Sequence, residues 1–131
     1  NDEQRKIYAL VLAALDAVLR IIKPGVPFAD LDRTARKVIT DGGYGPQFIH
    51  GTGHFLGLDV HDEGDTAATL EPGMVFTVEP GVYLADRKIG VRVEDDVLVT
   101  ATGAEVLSRC LPRAVDAVEM QIRNAQQSGT R

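Results

Sequence analysis

The chain has 131 residues, 44% of them hydrophobic and 25% charged, and a formal net charge of −5. That length and balance describe one globular domain over residues 1–131 with enough apolar matter for a core. An acidic chain without a Lys/Arg stripe excludes a nucleic-acid face, and no apolar run approaches the roughly 18–20 residues of a membrane span.

The single cysteine, Cys110, can form no internal disulfide and has no zinc-finger spacing. It reads as a small packed side chain in a reducing, cytoplasmic setting. No signal-peptide pattern opens the chain.

The elements follow in order. From Asp2 to Lys23, apolar residues fall at Ile7, Leu10, Val11, Ala14, Leu15, Val18, Leu19 and Ile22. This is helical spacing with one buried stripe, and Pro24-Gly25 ends it. A second helix is expected from near Asp30 to Asp41-Gly42-Gly43, burying Leu31, Ala35, Val38 and Ile39. The two make a helical hairpin. Residues 44–64 are rich in Gly and His. Strands are then expected at Met74–Glu79, Gly81–Leu84, Ile89–Glu94 and Val97–Thr100, with a shorter one at Glu105–Leu107. The acidic run Glu94-Asp95-Asp96 between β-rich segments reads as a turn. A last helix carrying Val115, Val118 and Ile122 follows Pro112, and the polar tail from Gln126 to Arg131 is expected to fray. Helices, then strands, then a helix is an α+β order.

Chemistry concentrates in three places. All three histidines, His50, His54 and His61, lie within twelve positions of a glycine-rich stretch. Singly, each is more often a hydrogen-bonded structural residue. Together they suggest a site, as metal ligands or as acid–base groups. Glu79 closes an apolar strand just before Pro80-Gly81. Alternation puts Met74, Phe76 and Val78 on one face and Val75, Thr77 and Glu79 on the other. Arg92 and Glu94 share a strand face, and a partly buried Glu94 needs either Arg92 or a cation. One histidine and two glutamates form an oxygen-rich donor set suited to Mn²⁺, Co²⁺ or Mg²⁺-like ions. No His-Glu-x-x-His helix and no Gly-x-Ser-x-Gly turn is present.

His50-Gly51-Thr52-Gly53-His54 with Gly57-Leu58 and His61, then Glu71-Pro72-Gly73-Met74 to Glu79-Pro80-Gly81, then Arg92-Val93-Glu94-Asp95-Asp96 form an ordered set. It resembles the pita-bread metallopeptidases of the Xaa-Pro aminopeptidase and prolidase kind (the creatinase/aminopeptidase fold). The ending Leu111-Pro112-Arg113-Ala114-Val115-Asp116 resembles theirs too. The resemblance implies the C-terminal half of that α+β fold, a helical hairpin packed on a mainly antiparallel sheet. It implies two divalent ions, most often Mn²⁺, with Co²⁺ or Zn²⁺ as alternatives, and removal of the residue before a proline at the second position of a peptide.

Carried over by motif, His54, Glu79 and Glu94 are metal ligands, with Glu79 also the general base or acid. His50 and His61 contact substrate and stabilise the tetrahedral intermediate, and Arg92 orients Glu94 or the substrate. The family's two aspartate ligands, on an upstream strand pair, have no counterpart here. Catalysis is therefore expected to be impaired, or to depend on oxygens from a homo-oligomer contact or an N-terminal half. A non-catalytic fragment acting as a binding module is the alternative. A methionine aminopeptidase-like or creatinase-like member is a further one.

Overall fold

The computed structural model describes residues 1–128. Asn1 caps the first helix: its side chain accepts the Gln4 amide at 3.0 Å while the Gln4 side chain accepts from the Asn1 amine at 2.8 Å, a capping box. The helix, α1, runs Asp2–Ile21, with Asp2 and Glu3 at its positive end. Ile7, Val11, Ala14, Leu15 and Val18 are fully buried. Each large aliphatic side chain so buried contributes about 1.5–3 kcal/mol.

Helix α2, Phe28–Asp41, starts two residues earlier than the expected Asp30. Pro27, held at an extended conformation, stands at its N-cap. The Phe28 ring is drawn in against Phe55 and Phe76, at 5.2 and 5.1 Å between centroids. Both helix exits use a glycine at positive φ, Gly25 at 88° and Gly43 at 87°, which a side chain would strain. Leu31, Ala35 and Ile39 of α2 meet the buried stripe of α1 in one core.

A 3-10 turn at Gly45–Gln47 follows, and then irregular backbone to residue 74. That stretch is tied down by its own hydrogen bonds. Gly25 donates to Leu70 at 2.9 Å, Leu70 to Val26 at 2.8 Å, and isolated bridges join Pro27 to Thr69 and Phe55 to Phe76.

The strands are β1 Val75–Val78, β2 Gly81–Leu84, β3 Ile89–Arg92, β4 Asp95–Val99 and β5 Ala104–Val106. They form two antiparallel sheets, β1-β4-β5 and β2-β3. The two are halves of one long hairpin. Val78 pairs Asp95 and Gly81 pairs Arg92, so the same register runs through both, and the ladder is broken only at Glu79-Pro80 and Val93-Glu94. Pro80 has no amide to donate, which accounts for the break.

Asp95 and Asp96 do not form the turn that three consecutive acids suggest. They lie within β4, and Asp95 is 2% exposed. Arg113 at 2.6 Å neutralises its carboxylate, and the Ser108 hydroxyl donates to it at 2.6 Å.

Helix α3, Val115–Ser128, has no buried residue. It continues through Gln126, Gln127 and Ser128, where the sequence suggests fraying; residues 129–131 lie outside the described residues. Cys110 is exposed rather than packed, in a segment that also leaves Leu107 and Leu111 in solvent. Among the described residues, no helix is long and apolar enough to cross a membrane.

Candidate metal centre

The break in the hairpin is where the chemistry collects. Extending the common register across it sets Glu79 opposite Glu94. Like charges directly opposite in an antiparallel pair repel. Burial first, and the neighbouring Glu79 carboxylate second, push the Glu94 carboxyl above its usual range, with Arg92 pulling it back. Two carboxylates placed this way call for a cation.

The structure places one cation and one imidazole beside them. Arg92 lies between them, its Nη1 3.5 Å from Glu79 Oε2 and its Nη2 3.4 Å from Glu94 Oε2. His54 approaches from the glycine-rich loop, with Nε2 3.2 Å from Glu79 Oε1. His54 Nδ1 donates to the Phe55 carbonyl at 2.9 Å, so in the neutral ring Nε2 carries the lone pair. A lone pair and a carboxylate oxygen at 3.2 Å are two acceptors facing each other. That arrangement fits a divalent ion, and a backbone carbonyl fixing the far ring nitrogen is how metal-binding histidines are usually oriented. One donor atom each from His54, Glu79 and Glu94 lie within 4.8 Å of one another. The donor set therefore fits a metal.

The β1 face that carries Glu79 is as buried as its opposite: Thr77 is 3% and Glu79 8% exposed. The loop at 52–54 lies over it. Glu79 N–H donates to the Thr52 carbonyl at 2.7 Å and Thr77 N–H to the His54 carbonyl at 2.9 Å. Gly53 permits this approach, because a Cβ there would stand 1.8 Å from the Thr77 carbonyl oxygen. Thr77 itself joins the site. Its hydroxyl donates to Glu79 Oε1 at 3.1 Å and accepts the His54 amide at 3.1 Å.

His50, His54, His61, Glu79 and Arg92 line one cleft of about 390 Å³ with Gly51 and Gly53. All six candidate residues therefore converge, Glu94 through its proximity to His54 and Glu79. The exposed His61 ring lies 4.1 Å from that of His54. The His50 ring is held at both ends, Nδ1 donating to the Gly51 carbonyl at 2.8 Å and Nε2 accepting from the Tyr83 hydroxyl at 2.9 Å. Sequence reasoning missed Tyr83. Its only signal is its place on β2 just beyond the Pro-Gly step. A larger cleft of about 720 Å³ between α1 and α2 is lined by Arg20, Lys23, Arg33 and Lys37 and gathers no donor set.

Comparison with known proteins agrees with this geometry. The model of metallopeptidase family M24 matches residues 1–101. A Staphylococcus aureus (strain bovine RF122) protein described as an uncharacterized peptidase is 47% identical over 112 residues, 82% of this chain and 32% of that protein. A histidine-to-alanine variant of Escherichia coli aminopeptidase P superposes with a TM-score of 0.87 at 33% identity, over 97% of this chain and 36% of that one. The prolidase from Pyrococcus horikoshii OT3 superposes with a TM-score of 0.78 at 39% identity, over 82% and 32%. The α+β architecture is the expected pita-bread fold. The chain spans about a third of the length of the curated relatives it matches.

Proposed function

The chain belongs to metallopeptidase family M24, and from that premise we propose that it carries part of the catalytic centre of an Xaa-Pro aminopeptidase or dipeptidase. The observation behind this is the facing pair Glu79 and Glu94 with the His54 Nε2 lone pair beside them. His54, Glu79 and Glu94 would hold divalent ions, Mn²⁺ by preference over Co²⁺ or Zn²⁺ on the oxygen-rich donor set. Such ions supply Lewis acidity that activates water and polarises the scissile carbonyl.

The chain's own residues do the rest. Glu79, buried and hydrogen-bonded by Thr77, takes a proton at a carboxylate oxygen and returns it to the leaving amine. His50 and His61 border the cleft where a peptide carbonyl would lie; His61 donates to its developing oxyanion, and His50, held between Gly51 and Tyr83, contacts the substrate. Arg92 holds the two glutamates in place or meets the substrate carboxyl end. Residues 1–131 act as one unit in this reading. Oxygens from a second copy or from an N-terminal half complete the ligand set, and the setting is cytoplasmic. The substrate is a peptide with proline at its second position.

One observation favours a second reading. The Arg92 guanidinium already bridges both carboxylates, and a cation there competes with a second metal ion. A non-catalytic binding module with a single weak site would follow.

Mn²⁺ stoichiometry by equilibrium dialysis and elemental analysis at neutral pH separates the two. Two tight ions per chain are expected from the first reading, together with Xaa-Pro hydrolysis that falls about 10²–10⁴-fold in Glu79→Gln while the fold is retained. One weak ion or none, or hydrolysis unchanged in Glu79→Gln, would overturn it.

A further inference from the structure

We infer that Asp32 and Arg36 of α2 are positioning residues for the loop of the metal centre, a role that rests on the function proposed above. Spaced four apart, they share one helix face and pair through Arg36 Nε and Asp32 Oδ2 at 2.6 Å. Neither stops there. Arg36 Nη1 donates to the Phe48 carbonyl at 2.9 Å and Nη2 to the His50 carbonyl at 2.6 Å, with the guanidinium 4.5 Å above the Phe48 ring. The second Asp32 oxygen accepts both the Thr52 amide, at 3.1 Å, and the Thr52 hydroxyl, at 3.0 Å.

An ordinary helix-surface pair of this spacing contributes only a few tenths of a kcal/mol. Lys37 and Asp41 on the same helix are such a pair, with their side chains 75% and 65% exposed. The Asp32–Arg36 pair instead directs three guanidinium nitrogens and both carboxylate oxygens into one arrangement, and two of those nitrogens and one oxygen go to residues 48–52.

The consequence reaches the site by two routes. With its carbonyl drawn toward α2, His50 presents its ring to Tyr83, 2.9 Å away. With its amide and hydroxyl fixed, Thr52 offers its carbonyl to the Glu79 amide at 2.7 Å. One helix-borne pair thus sets His50 and Glu79 relative to each other. Lysine cannot replace Arg36, because an ammonium is a point charge without the planar fork that spans a carboxylate and two carbonyls.

The test uses the full chain, ¹⁵N-labelled and metal-free, with Arg36→Lys, Asp32→Asn and the control Arg33→Lys. In the wild type the His50 imidazole nitrogens should report one tautomer, protonated at Nδ1. In Arg36→Lys they should move toward the average of two tautomers. The His61 signals should stay in place, and Tm should fall by no more than a few degrees. A merely structural loss would lower Tm and disturb all three histidines together. Unchanged His50 signals in folded Arg36→Lys overturn the inference, and Asp32→Asn carries the same readout if Arg36→Lys does not fold. Mn²⁺ titration should show affinity about 10-fold weaker in Arg36→Lys and unchanged in Arg33→Lys. Equal affinities in Arg36→Lys and the wild type would overturn the claim that the pair positions Glu79. A wild type that binds no Mn²⁺ would defeat the metal reading, and the His50 signals would still decide the clamp.

Discussion

Thr77 shows how much of the centre depends on single atoms outside the donor set. Its hydroxyl serves two neighbours at once, donating to Glu79 Oε1 and accepting the His54 amide. Valine has the same shape and neither capacity. Thr77→Val would leave a buried carboxylate oxygen without that donor and a loop amide without that acceptor. It should cost about 1–3 kcal/mol in urea unfolding and weaken Mn²⁺ about 10-fold by titration. Wild-type affinity in the folded variant would show that the hydroxyl does not orient Glu79. Thr77 was legible in the sequence as far as strand alternation goes, since Val75, Thr77 and Glu79 share a face. That this face is covered by a loop was not legible, because it depends on Gly53 lying where a Cβ would meet the Thr77 carbonyl. The six candidate residues were readable from ordered motifs. Tyr83 and the Asp32–Arg36 pair were not, because their roles are contacts across 33 residues and 12 to 20 residues of chain.

At the scale of elements, the strand positions were legible from alternation and from Gly and Pro. The pairing was not. Nothing local states that two sheets are one hairpin interrupted at Pro80, nor that the interruption brings Glu79 opposite Glu94. The misread acidic run has the same cause. Three adjacent acids suggest solvent unless a distant cation is supplied, and Arg113 supplies it from 18 residues later. Arg113 also reaches Asp16 of α1 at 3.5 Å, and its carbonyl accepts the Tyr8 hydroxyl at 2.9 Å. It therefore ties α1 and β4 together one residue from Glu94. Arg113→Met removes one partner of a buried pair and leaves the Asp95 charge without its cation. The expected loss is about 3–5 kcal/mol in urea unfolding. A loss under about 1 kcal/mol would mean that the Ser108 hydroxyl and solvent suffice.

At the scale of the whole molecule, stability is unevenly distributed. The fully buried side chains belong to α1, α2, the strands and Leu70, whereas α3 buries none and leaves Met120 and Ile122 each 53% exposed. Val115, Val118 and Ile122 of α3 line a shallow cleft with Tyr8 of α1, and two ion pairs close it: Arg5 bonds Asp116 and Glu119, each at 2.6 Å. Exposed pairs of this kind are screened by solvent and weaken with salt. The helix is thus an outlying element whose opening need not disturb the hairpin or the metal centre. Ending the chain after Ala114 keeps Arg113 and its pair with Asp95. That variant should melt within a few degrees of the parent and bind Mn²⁺ with the same affinity. In the parent chain, the amides of α3 should exchange with deuterium well before those of β1 and β4, and sooner still in high salt. If they are instead protected together with β1 and β4, α3 belongs to the cooperative core, and the polar contacts to Arg5 carry more energy than their exposure implies.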